Sequence, residues 1–392
     1  MNIFYLNRTV DATSYYRGDV PSRALLMEGA ADTRSQYYLQ PTRAYQIIKQ
    51  YLEFADMIVV QRPLMKSDYD MVTHLQGMYP NKPFIADYDD DYLATPTWNP
   101  GYPNVRGHFK SLEHCFRLFD GFTVSTPAIA NRIRKYTNAP VSVIKNSFDL
   151  LAVDSIPELR DDELEIVSPD ITEDLKQVVR YRLSPTEFRQ MADGKRVIAW
   201  YGSGHHYADV DMLPEALEAV AKKVPDVIFL FVGYTTWRVL AHLPYDRVFF
   251  TPGIPNVERY YAILRDLPID IALAPVHPCD FNAAKSSLKS QESQLFGIYP
   301  IASDFETYES DIRHGLLAGY GSKEWERAIL KALNDNRLDE KVRMNQDAVR
   351  AEEDSVLRVP QYVRLYEEAR EWKSSRCSQR LSLVGSLAGA LT

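Results

Sequence analysis

Between Asp280 and Asp304 the chain sets Lys285, Ser286, Lys289 and Glu292 in a polar segment between two apolar runs. At helical spacing, residues three and four apart share one face. Two ammonium groups, a hydroxyl and the free N–H groups of a helix start are the means by which a protein holds a diphosphate. A carboxylate two turns further along suits the two hydroxyls of a ribose. The competing reading is a solvated amphipathic helix with ordinary surface lysines. The segment predicts a cap at Asn282, a helix starting at residue 283 or 284, Leu288, Leu295 and Phe296 on its buried side, and a stop at Gly297. With apolar strands predicted over 269–274 and 299–302, this makes a β-α-β unit.

Three other places carry chemistry. Gly202-Ser203-Gly204-His205-His206 follows an apolar run and precedes a helical pattern. Such a turn lets backbone approach a phosphate. It lacks the Gly-Lys-Ser/Thr ending of a P-loop and the third glycine of the dinucleotide fingerprint. A second apolar run ends at Gly233-Tyr234. In the first half, Asp87-Tyr88-Asp89-Asp90-Asp91 closes a strand pattern, where carboxylates can act as a base, bind a metal, or cap the next turn in solvent. Arg17 lies in the predicted loop after the first strand. Such loops face the ligand crevice of an open α/β sheet, making Arg17 a candidate for phosphate or acceptor contact.

The elements that must position these groups alternate. Strands are predicted over 2–6, 57–60, 84–87, 121–125 and 141–144, with helices near 21–29, 41–54, 66–78, 109–119 and 127–136. The rhythm restarts with strands over 196–201, 227–232 and 247–250 and helices near 211–223, 235–241 and 257–267. This is the pattern of two parallel sheets covered on both faces. It divides the chain into residues 1–150, a linker or insertion at 151–195, a second domain at 196–355, a helix at 356–376 and a frayed tail at 377–392. In the insertion, residues 171–181 read as helical and the acidic runs 161–163 and 172–174 as a solvated face.

At 392 residues the chain can bury two cores, and 45% hydrophobic with 25% charged residues is a globular composition. A net charge of −8 argues against a broad nucleic-acid surface, while a local basic cleft stays open. Cys115, Cys279 and Cys377 have no metal spacing, which predicts no disulfide framework and a reducing, cytoplasmic setting. The N-terminus turns polar too soon for a signal peptide, and no apolar run approaches the roughly eighteen residues of a membrane span.

In this order and separation, the motifs resemble the GT-B glycosyltransferases, in particular the family 4-like group and its bacterial and phage members, over roughly residues 1–370 apart from the insertion. The stretch Asp280-Phe281-Asn282 through Lys285, Ser286, Lys289, Glu292, Gly297 and Pro300-Ile301-Ala302-Ser303 is similar to that family's donor-site helix. Gly202-Ser203 with His206 and Asp209 is similar to a Gly-Ser-x-x-His-x-x-Asp turn. Asp87 to Asp91 looks like the acidic strand end, and Asn146-Ser147-Phe148-Asp149 stands where the family has Asn-Gly-x-Asp. Two departures stand out. Ala284 occupies the position of the first of the family's paired glutamates, and His205 and His206 stand where many members have an arginine.

The resemblance implies an α/β GT-B fold, with two Rossmann-like domains facing an interdomain cleft and C-terminal helices packing back toward the first. It implies transfer from a nucleotide-sugar donor, such as a UDP- or GDP-sugar, to an acceptor hydroxyl, with retention and without metal or other cofactor. His206, Lys285, Lys289 and Asp90 become catalytic candidates. Gly202, Ser203, Gly233, Ser286, Glu292 and Arg17 become donor-binding candidates. The acceptor is a saccharide, a lipid-linked glycan or a protein. Inversion would need a base, sought first among Asp89, Asp90 and Asp91. Two alternatives stand beside this. One is a phage-type enzyme of the host cytoplasm acting on hydroxymethylated pyrimidines in DNA, with a basic rim of Arg17, Arg23, Arg43, Arg106 and Lys110. The other is a catalytically inactive nucleotide-sugar-binding protein. The rival GT-A fold would use Asp-x-Asp in the 87–91 run to bind Mn²⁺ or Mg²⁺.

Overall fold

The computed structural model describes residues 1–37, 44–171, 177–234, 236–254 and 256–389. The chain forms two compact units. One comprises Met1–Asp149, Ala284–Ser286 and Glu353–Thr392, and the other Leu150–Ala283 and Ser287–Glu352.

The first unit is built on β1 (Asn2–Asn7), β2 (Asp32–Tyr37), β3 (Met57–Gln61), β4 (Phe84–Tyr88), β5 (Gly121–Val124) and β6 (Val141–Val143), ordered β2-β1-β3-β4-β5-β6. All pairs are parallel. β3, β4 and β5 are buried along their whole length, which is why they read as continuous apolar runs. β2, Asp-Thr-Arg-Ser-Gln-Tyr, is an edge strand without apolar alternation, and no sequence pattern announces it. The helix Val359–Gly389 lays Val359, Tyr362, Leu365, Tyr366 and Ala369 in one core with Ile3, Tyr5, Met57 and Ile85. The Tyr5 and Tyr366 hydroxyls meet at 2.7 Å. The helix continues to Gly389 where a frayed tail was expected; residues 390–392 and Arg43 lie outside the described residues.

After β1 the expected loop to residue 19 is helical instead, with an α-helix at Ala12–Ser14, a π-helix at Tyr15–Asp19 and an α-helix at Val20–Met27. Asp11 caps it, accepting from the Ser14 N–H at 2.9 Å. Gly18 lets this turn lie on β1, since a Cβ there would come 2.1 Å from Asn7 Oδ1.

The second unit carries β7 (Ile166–Ile171), β8 (Gln177–Leu183), β9 (Arg196–Gly202), β10 (Val227–Gly233), β11 (Val248–Pro252), β12 (Ile271–Ala274), β13 (Tyr299–Ser303) and β14 (Leu316–Ala318), ordered β14-β13-β12-β9-β10-β11-β7-β8. Counted from β9, the six parallel strands have the 3-2-1-4-5-6 order of dinucleotide-binding domains. The segment read as a linker or insertion adds to this sheet. β7 and β8 pair antiparallel and join the β11 edge, and the helix Pro185–Ala192 buries Phe188 and Ala192 in the core. Where the expected helix over 171–181 falls on described residues it is strand instead, Ile171 in β7 and 177–181 in β8, whose Val178 and Val179 are β-branched residues that favour extended backbone. The acidic run 172–174 lies outside the described residues. Among the described residues, no helix is long and apolar enough to cross a membrane.

Candidate functional site

Ligands of open α/β sheets bind beyond the carboxyl ends of the strands, where the strand order reverses. In the second unit that point lies between β9 and β12, so the turn from Gly202 and the segment after Ala274 flank it. Lys289 Nζ lies 5.1 Å from the centroid of the Trp200 ring. A Cβ on Gly202 would come 3.0 Å from that ring and 3.4 Å from Lys289 Nζ. Gly202 therefore makes room for the ammonium at the end of β9. Gly233 serves the backbone differently from the expected approach to a ligand. It has φ +99°, and a Cβ there would lie 2.6 Å from the Gly202 carbonyl oxygen. It lets β9 and β10 end side by side.

The donor-site helix differs from its expected form. A short helix, Asp280–Ala283, breaks at Ala284–Ser287, and the helix proper is Leu288–Leu295. Asn282 lies inside the first piece, not at a cap, because its side chain is held by Asp209 and the His277 carbonyl. The helix proper is not a solvated face: Ser290, Gln291, Glu292, Ser293, Gln294 and Leu295 are all buried. Ser290, Glu292, Ser293 and Gln294 are hydrogen-bonded through their side chains. Gln294 Nε2 donates to the Asp311 carbonyl at 2.8 Å, Ser293 Oγ donates to the Lys289 carbonyl at 2.7 Å and pairs with the Tyr201 hydroxyl, and Glu292 Oε2 accepts from the Tyr260 hydroxyl at 2.9 Å. Burial and the Glu292 carboxylate keep the Tyr201 and Tyr260 hydroxyls protonated far above the usual range. Gly297, at φ +72°, ends the helix as expected, with the Ile298 N–H returning to the Ser293 carbonyl at 2.8 Å.

On the other flank, Ser203 is exposed and its carbonyl accepts from the His206 N–H at 3.0 Å. His206 Nδ1 lies 2.8 Å from Oδ2 of Asp209, a carboxylate only 2% exposed.

Lys285 and Ser286 belong to the first unit. Asn146 Nδ2 donates to Ser286 Oγ at 3.0 Å, and Thr126 Oγ1 donates to the Ala284 carbonyl at 2.7 Å. Ala284 itself, 1% exposed, is part of the hydrophobic cluster with Tyr88, Phe116 and Ile129. A glutamate here would bury its charge in that core, which gives a packing reason for alanine.

The acidic run at the end of β4 sorts by partner. Arg17 is 1% exposed and grips Asp87 through Nε and Nη2, while its Nη1 donates to the Ile144 carbonyl at 2.6 Å and to Asn146. Arg17 is thus a buried strut joining the π-helix to β4, and not the ligand contact expected. Burial raises the Asp87 carboxyl while Arg17 lowers it; a guanidinium does not release its proton, so the two stand as an ion pair. Asp91 pairs with Arg132 at 2.9 Å, and Asp89 accepts from the Tyr92 hydroxyl at 2.8 Å. Asp90 is half-buried and, among the described residues, has no hydrogen bond or ion pair. Burial, then Asp89, pushes its carboxyl up to about 7, against the pull of Lys285 and Arg62.

Arg62, after β3, escaped the sequence reading. Its backbone has φ +47°, unusual for a residue with a side chain, and its Nη2 donates to Asp11 at 2.7 Å. Its signal was position alone, since it directly follows a buried strand at the β1/β3 reversal of the first sheet.

Two Rossmann-like units, one with the 3-2-1-4-5-6 core, define the α/β GT-B architecture, and this is not the GT-A fold. No protein-family model and no curated protein matches the chain. Among solved structures it is similar to HepE of Anabaena, solved with UDP and glucose, at 12% identity over 93% of this chain and 98% of that one, with TM-score 0.59. It is similar to MnaA of S. aureus, solved with UDP, at 12% identity over 94% and 97%, with TM-score 0.52. It is also similar to TarM, at 13% identity over 79% of this chain and 54% of that one, with TM-score 0.53; a variant of S. aureus TarM was solved with fondaparinux, α-GlcNAc-glycerol and UDP.

Proposed function

We propose that the chain is a glycosyltransferase that moves a sugar from a nucleotide-sugar donor, a UDP-sugar before a GDP-sugar, to an acceptor hydroxyl, without a metal and in the cytoplasm. The observation that carries this is the buried polar helix Leu288–Leu295, which sets the Lys289 ammonium against Gly202 at the strand-order reversal of the second unit. All three proteins above were solved with UDP, which supports the choice of nucleotide.

As the glycosidic bond breaks, negative charge grows on the leaving diphosphate. Fixed cations and N–H dipoles stabilise it. Lys289, Ser203 and the N–H groups at the start of the helix supply them from the second unit. By the resemblance, Lys285 and Ser286 are candidates for diphosphate contact. Glu292, oriented by the Tyr260 hydroxyl, is assigned to the ribose. His206 takes the transferred sugar. Ala284 packs in the core of the first unit, which supplies a packing reason for the missing carboxylate beside the alternative of an inactive binder.

Retention, with the leaving phosphate taking the acceptor's proton, remains the expectation of the family 4-like resemblance. Asp90 favours a second reading. A half-buried carboxyl raised to about 7 by burial and Asp89 is suited to act as a general base, and inversion needs one. The acceptor stays a saccharide, a lipid-linked glycan, a protein or hydroxymethylated DNA.

The test is thermal shift against UDP, UDP-glucose, UDP-GlcNAc and a GDP-sugar, followed by transfer assays with and without EDTA. A ligand at 100 times its Kd stabilises by about 2.7 kcal/mol. A UDP-sugar should raise the melting temperature and be consumed, with the product's anomeric configuration read by NMR. If none of these ligands raises it, the proposal is wrong.

A further inference from the structure

Asp209 ties together the two segments that flank the strand-order reversal of the second unit. It lies in the short helix Tyr207–Val210 after β9 and is 2% exposed. Oδ2 faces His206 Nδ1 at 2.8 Å. Oδ1 accepts from the His277 N–H at 2.7 Å and from Asn282 Nδ2 at 3.1 Å, both on the segment after β12. Asn282 Nδ2 also donates to the His277 carbonyl at 2.7 Å, which fixes the orientation of that amide. Burial, then the charges of Asp209 and Glu292, holds the hydroxyl of Tyr308, after β13, protonated above the usual range.

An ionised carboxylate only accepts hydrogen bonds. Against an ionised Asp209, the single proton of a neutral His206 ring sits on Nδ1, which leaves Nε2 as the acceptor. An asparagine at 209 would present an NH₂ to one side and break this match. The carboxylate thus sets which nitrogen of His206 is protonated, and a backbone N–H and an amide on the next loop hold the carboxylate in turn.

We propose that Asp209 is a positioning residue for sugar transfer: it holds His206 in the Nδ1–H tautomer, so that Nε2 accepts a hydrogen bond from a hydroxyl of the transferred sugar. The second half of this rests on the glycosyltransferase reading. The first half does not.

The experiment uses the full chain labelled with ¹⁵N-histidine. Two-bond ¹H–¹⁵N correlations at pH 8 report the tautomer of His206, assigned by its loss in His206→Asn. The expected spectrum shows a protonated Nδ1 and a bare Nε2. A protonated Nε2 in the neutral ring overturns the inference without any variant. Asp209→Asn should shift the tautomer and lower kcat with UDP-glucose, or another UDP-sugar the wild type consumes, by roughly 10- to 100-fold, while KM moves less than about threefold. If that variant does not fold, His206→Asn, which keeps a donor toward Asp209 and removes Nε2, reads the same loss. An unchanged kcat in the folded variant overturns the sugar contact. A wild type that consumes no UDP-sugar defeats the glycosyltransferase reading and the sugar contact with it, while the spectrum still decides the tautomer.

Discussion

Asp90→Asn separates a working carboxylate from a structural one, because activity and stability should move in opposite directions. Burial first, then the Asp89 charge, raises the Asp90 carboxyl from 3.8 to about 7, with Lys285 and Arg62 opposing. The folded protein therefore holds a proton that the unfolded chain has already lost. The sign follows. The stability this gives is full below pH 3.8 and is lost as pH rises toward and through 7, where the folded state must ionise a poorly solvated group. The full shift corresponds to about 4 kcal/mol, and partial exposure of the side chain reduces it to about 1–2 kcal/mol. Asparagine never ionises, so the variant escapes this loss. The variant-minus-wild-type stability should widen between pH 4 and 7 and stay flat above, visible as a gain of roughly 2–8 °C in the first thermal transition at pH 8. Transfer should fall by about 10²-fold or more if Asp90 is the base, and stay within about threefold if the leaving phosphate takes the proton. Thermal melts at pH 4, 6 and 8 with a UDP-release assay decide both. A stability difference independent of pH would refute the perturbed carboxyl.

Glu292→Gln should weaken UDP binding by roughly 10- to 100-fold, from loss of a charge-assisted contact of about 1.5–3 kcal/mol, measured by calorimetry; unchanged affinity removes Glu292 from the ribose. Ala284→Glu, which supplies the carboxylate the resemblance lacks, should not help, because it sets a charge in the core of the first unit. A loss of at least about 3 kcal/mol in urea unfolding is expected, and a stable variant with higher turnover would contradict the packing argument. Arg17→Met should cost about 3–5 kcal/mol by leaving Asp87 buried without its partner, while UDP affinity of the folded fraction is unchanged; a specific loss of donor affinity would return Arg17 to the site.

The strands were legible because parallel strands buried on both faces must be apolar throughout, as Val-Ile-Phe-Leu-Phe-Val in β10 is. What escaped lay where that rule lapses. β2 is a polar edge, and β7 and β8 pair antiparallel beyond the β11 edge, outside the parallel rhythm. The loop after β1 looked irregular because Gly18 breaks helical propensity, yet that glycine is what lets a π-turn pack on Asn7. Arg17 was misplaced for a related reason. Its position in the chain pointed to the crevice, but a side chain that long can turn back, and Asp87 lay within reach at 2.8 Å.

The helix Leu288–Leu295 shows where sequence spacing ends as a guide and burial begins. Leu-Lys-Ser-Gln-Glu-Ser-Gln-Leu fits a solvated helix as well as a binding one, and the two lysines decide nothing. A solvated helix would keep its polar face in water. Here Ser290 through Gln294 are all withdrawn from it, which costs desolvation at every polar group unless each is matched. For Ser293, Glu292 and Gln294 the matches come from Tyr201, Tyr260 and the Asp311 carbonyl, residues far apart in sequence that no helical pattern reveals. A run of leucines would fill that place at lower cost in polar burial. Holding the Lys289 ammonium beside Gly202 while Glu292 is oriented from below is what a polar helix does there and an apolar one cannot.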